Sequence, residues 1–237
     1  MTSFKSNVIF YSVISIIICT LIINFFYPYF FEDFLKSKEE LVLKEALNNK
    51  EYTQALVIYQ QLVEERVSDE KESSIETASM YEDMANLYFA LGNRGEEKNY
   101  YLKSLNIKEK LTKNEMFGFA KTYYKLGLIA EDEGQYDQAQ RYYEQSLFKR
   151  LGGAKKIDEQ SEGMITGMHQ TRLSYIRLNS KATIAVFKRL AEIHKLKNEY
   201  ATALKYYEQA LAASQITFGD DAVETLVIID LIKYLAL

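Results

Sequence analysis

EGQYDQAQRYYEQSL, residues 133–147, decides how this chain folds, because the same phrase returns three more times. It stands as NKEYTQALVIYQQLV at 49–63, GNRGEEKNYYLKSL at 92–105 and KNEYATALKYYEQAL at 197–211. The tyrosines that anchor the copies, Tyr59, Tyr101, Tyr143 and Tyr207, are 42, 42 and 64 residues apart. A fixed period of this size is the signature of a repeat solenoid. Each unit is too small to bury its own apolar face, so neighbours must stack, and the product is an extended surface suited to binding.

Within the unit the apolar spacing is helical. Tyr123, Leu126, Gly127 and Ala130 recur on one face of a first helix, and Tyr136, Ala139, Tyr143 and Ser146 repeat the three-to-four residue step on a second. Gly134 stands between them, where a residue free to take positive φ ends a helix. Gly127 and Ala139 are small at the positions where two helices must approach closely. A single proline, ten glycines and 26% charged residues suit an almost wholly helical protein. The large tyrosine content, 19 residues, fits rings buried at helix-packing positions with hydroxyls at the rim.

These residues resemble the tetratricopeptide repeat. Ala130 stands where that family usually has an aromatic, and the copy from Phe187, Leu190, Ala191 and His194 to Tyr200, Ala203, Tyr207 and Ala210 is as close a match. The copy built on Tyr81, Met84, Ala85, Tyr88, Tyr101 and Ser104 departs at Arg94 and Glu97, where the pattern has Tyr and Ala, which implies looser packing there. The first unit keeps Tyr52, Ala55 and Tyr59, but its first helix, from about Asp33 to Asn48, matches poorly. The 42-residue period is similar to the extended units of kinesin light chains. The expected fold is therefore all-α: a tetratricopeptide-type helical-hairpin solenoid over residues 32–237, with four helix pairs and a final helix from about Ala222 to Leu237. An insertion over 151–180 stretches the last spacing and holds Gly152, Gly153, Gly163 and Gly167. Its Met164, Ile165, Met168 and Leu173 suit a short amphipathic piece or an ordinary surface loop.

Residues 1–31 read differently. Val8 to Phe31 is a run of 24 residues without a charge, long enough at ~1.5 Å per residue to span a bilayer. Phe25, Phe26, Tyr27, Tyr29, Phe30 and Phe31 crowd its far end before Glu32 and Asp33, as at a membrane surface. No small-x-small cleavage site follows, and Ile16, Ile17 and Ile18 before Cys19 are too large for lipoprotein processing. The expectation is a single transmembrane anchor over residues 1–31. Lys36, Lys38, Lys44 and Lys50 follow it against Lys5 alone before it, which leans the solenoid to the cytoplasmic side.

Composition and motifs narrow the function. After residue 31 the chain has 28 basic against 33 acidic residues, which argues against a nucleic-acid partner. The only cysteine, Cys19, lies in the uncharged run, and no zinc spacing, phosphate-cradling loop or nucleophile elbow occurs. His194 holds a packing position and His169 lies in the insertion without a partner. Neither enzyme chemistry nor a metal or cofactor is expected.

In the tetratricopeptide family the first helix of each pair lines the concave face. The resemblance therefore implies a protein or peptide partner at Lys121, Tyr124, Lys125 and Leu128, then Lys188, Arg189, Glu192 and Lys195. The earlier unit offers Glu82, Asp83, Asn86 and Phe89, so the face is expected to be acidic there and basic on the later two units. The reading is a membrane-anchored interaction scaffold. The alternatives are a peptide-responsive sensor and a structural or assembly subunit of a membrane complex.

Overall fold

In the computed structural model the described residues are 27–68, 74–111, 116–151 and 180–235. They form helices in sequential hairpins: α1 (Tyr27–Asn48) and α2 (Tyr52–Ser68), α3 (Ile75–Ala90) and α4 (Arg94–Leu111), α5 (Met116–Asp132) and α6 (Tyr136–Arg150), α7 (Lys181–Leu196) and α8 (Tyr200–Phe218). Last comes α9 (Val223–Leu235). Among the described residues there is no strand. The chain divides into two compact units, Met1–Leu62 and Val63–Leu237. In the first, α1 begins at Tyr27, ahead of the expected start near Asp33, and runs unbroken through the expected boundary at residues 31 and 32. Pro28 does not stop it, because a proline in the first helical turn removes no intrahelical hydrogen bond. Residues 1–26 of the expected anchor and 152–179 of the insertion, His169 included, lie outside the described residues.

One turn is used four times. Lys50, Gly92, Gly134 and Asn198 all have left-handed backbone, with φ of 59, 75, 71 and 61°. In each case the next residue's N–H reaches the carbonyl five residues back: Glu51 to Ala46, Asn93 to Tyr88, Gln135 to Ala130 and Glu199 to His194, at 2.8 to 2.9 Å. This is the Schellman closure, which satisfies helix-end carbonyls and turns the chain back for the second helix. The 42, 42 and 64 residue spacing of the sequence is the spacing of these turns.

In the second unit each hairpin closes around a buried tyrosine. Tyr101, Tyr143 and Tyr207 have no accessible surface. Each hydroxyl donates to the preceding helix of its pair: Tyr101 to Asn86 Oδ1 at 2.8 Å, Tyr143 to Glu131 Oε2 at 2.6 Å, and Tyr207 to Glu192 Oε1. Burial pushes all three phenols well above the usual tyrosine range, and the neighbouring carboxylates push them further. Gly127 is the counterpart of Tyr143: a Cβ there would lie 2.5 Å from the ring. Around this contact α5 to α9 share a core of Ala130, Ala139, Tyr143, Phe187, Leu190 and Ile228 with their neighbours.

The stack also carries buried charge. Lys108 Nζ on α4 reaches Glu82 Oε1 on α3 at 2.6 Å, and Gly118 O and Thr122 Oγ1 on α5 at 3.0 and 3.1 Å. Thr122 Oγ1 also donates to Glu82 Oε1. One ammonium thus ties three consecutive helices from inside. The expected loosening at Arg94 and Glu97 is corrected: Glu97 is only 3% exposed, and Arg94 pairs with it at 2.8 Å while its other nitrogen reaches Asp132 on α5 at 2.8 Å. Charge fills the position that Ala139 and Ala203 occupy in the later units. His194 is buried as expected, stacked on Tyr206 with centroids 5.3 Å apart, as Tyr88 stacks on Tyr100 at 5.2 Å.

Two expectations follow for stability, both read by chemical denaturation. Gly127→Ala drives a methyl into the Tyr143 ring and lowers stability by about 1–3 kcal/mol, whereas Gly95→Ala, whose nearest contact would be 3.8 Å away, lowers it little or not at all. Lys108→Met leaves Glu82 buried without its cation and costs about 3–5 kcal/mol. Pairing it with Glu82→Leu recovers most of that loss, and a double variant no better than the single would show that the ammonium's bonds to α5 dominate.

Candidate functional surface

The first helices of the three hairpins in the second unit meet through side chains. Phe89 on α3 is 51% exposed and lies between two cations, with the Arg94 guanidinium 4.6 Å and Lys125 Nζ on α5 5.8 Å from its ring centre. Between α5 and α7, Arg189 pairs with Glu131 Oε1 at 3.1 Å and lies beside the Tyr124 hydroxyl. The Tyr124 ring packs against Tyr143 at 5.7 Å, so this polar cluster rests on the tyrosine at the heart of the α5/α6 hairpin.

The expected partner-contacting residues separate into three groups. Tyr124 and Leu128 are half-buried against the core shared by α5 to α9. Arg189, Glu192 and Lys195 are committed within the chain: Arg189 to Glu131, and Glu192 to both the Tyr207 hydroxyl and Lys195 Nζ, the latter at 2.6 Å. Lys121, Lys125 and Lys188 have no acidic partner among the described residues, and Lys125 touches only the Phe89 ring. Lys121 is exposed, and the other two are half-exposed.

The acidic character expected of the earlier unit is reduced to Asp83, which stays partly exposed. Glu82 points inward and is neutralised by Lys108, so it adds no charge to this surface, and Asn86 accepts from Tyr101. In their place stands Phe89 with Arg94 over its ring. Position alone did not mark Arg94 for this role, yet its departure from the repeat pattern was the visible signal.

Opposing causes act on Arg189 and on Arg150. Burial alone would lower Arg189, but Glu131 and the Tyr124 and Tyr143 hydroxyls outweigh it and hold the guanidinium above its ordinary value. Arg150, at the end of α6, is pulled down by burial, with only the Tyr124 phenol opposing. Among the described residues no group of three or more His, Cys, Asp or Glu side chains is arranged to hold a metal ion.

Family comparison matches tetratricopeptide-repeat models to residues 77–113, 120–147 and 183–221. No curated protein sequence matches the chain. Among solved structures it is similar to the putative kinesin light chain of Podosopora anserina with nearly identical TPR-like repeats, at TM-score 0.60 and 16% identity over 85% of this chain and 84% of that one. It is also similar to BtubC (BKLC) from P. vanneervenii, at TM-score 0.54 and 16% identity over 81% of this chain, and it spans 65% of that protein's length. At such identities the likeness speaks to fold. With three matched segments lying on the three hairpins α3/α4, α5/α6 and α7/α8, the chain is a tetratricopeptide-repeat protein.

Proposed function

We propose that this protein is a membrane-tethered scaffold that captures a protein or peptide partner on the face formed by α3, α5 and α7. The observation that carries this reading is the state of Lys121, Lys125 and Lys188. On α5 and α7 these three cations have no acidic partner among the described residues, and Lys125 lies over the ring of the exposed Phe89. Unmatched charge next to exposed aromatic surface is what a binding face offers before its partner arrives, since charge steers encounter and the ring supplies the anchor. Fold alone would not choose this face, because the same architecture carries many unrelated functions. No catalytic role is proposed.

The tether rests on the uncharged run from Val8 to Phe31. Among the described residues no helix is long and apolar enough to cross a membrane, so the reading concerns residues 8–26 together with the start of α1. A single-pass anchor holds the binding face at high effective concentration near the bilayer, where modest affinity suffices. The lysines that follow the run favour a cytoplasmic solenoid.

Charge reversal at Lys121, Lys125 and Lys188 together is expected to abolish partner capture from native membranes with helicity and melting temperature unchanged. Lys110→Glu, exposed at the end of α4, is expected to leave capture intact. Capture that survives the triple reversal sinks this face as the binding surface. Arg189 is left out of the set because its ion pair with Glu131 makes it part of the fold. For the tether, the full chain is expected to stay with membranes through carbonate washing, while a chain starting at Tyr27, which keeps α1 whole, is released. Recovery of a mature protein that has lost the first 30 or so residues in cells would replace the anchor with a cleaved signal.

A further inference from the structure

We draw no further inference here: the strongest candidate, the exposed apolar face of α9 formed by Val223, Leu226, Val227 and Tyr234, carries nothing, because nothing in the structure shows what covers it.

Discussion

The hairpins of the second unit depend on one packing constraint: a tyrosine ring of the second helix must fit, fully buried, against the first helix. At Tyr143 the fit is tightest, because a Cβ at Gly127 would lie 2.5 Å from the ring. Once the ring is in place its hydroxyl must find an acceptor, and Asn86, Glu131 and Glu192 supply one in successive hairpins. Those acceptors stand on the first helices, beside or among the residues expected to meet a partner. The core therefore reaches through to the proposed binding face and fixes which of its polar side chains are spoken for.

Charge plays two roles in this stack. Inside, Lys108 and Glu82 join α3, α4 and α5 in place of apolar contact, and Arg94 with Glu97 and Asp132 does so nearer the surface. A buried pair of this kind adds little net stability, but it penalises any stacking that separates its members. Outside, Lys98 with Glu133 at 2.5 Å and Lys197 with Asp137 at 2.9 Å link consecutive hairpins at their turns. On the first helices α5 and α7, Lys121, Lys125 and Lys188 have no acidic partner among the described residues.

The proposed binding surface lies at the seams between repeats. Lys125 contacts Phe89 across one seam, and Arg189 contacts Glu131 across the next. A change in how hairpins stack would move both contacts together, which gives the face a fixed shape while the stack is intact. At the α3/α4 to α5/α6 seam the buried Lys108 cluster adds a further tie between the hairpins.

The sequence by itself determined the local structure. Period, helical spacing, the small residues Gly127 and Ala139, and the turn at Gly134 were legible because backbone conformation and hairpin packing depend on residues close in the chain. Even Lys50 and Asn198, which lack glycine's freedom, fall where the repeat register puts a left-handed residue. What only the tertiary structure decided was the fate of charge. Glu82 reads as an exposed acid from its place on α3 and is instead neutralised by Lys108, 26 residues later, while Arg189 reads as free and is held by Glu131, 58 residues earlier. Whether an ionisable side chain is satisfied depends on which atoms lie within about 3 Å of it, and across a seam between repeats those atoms come from chain positions that no local pattern connects.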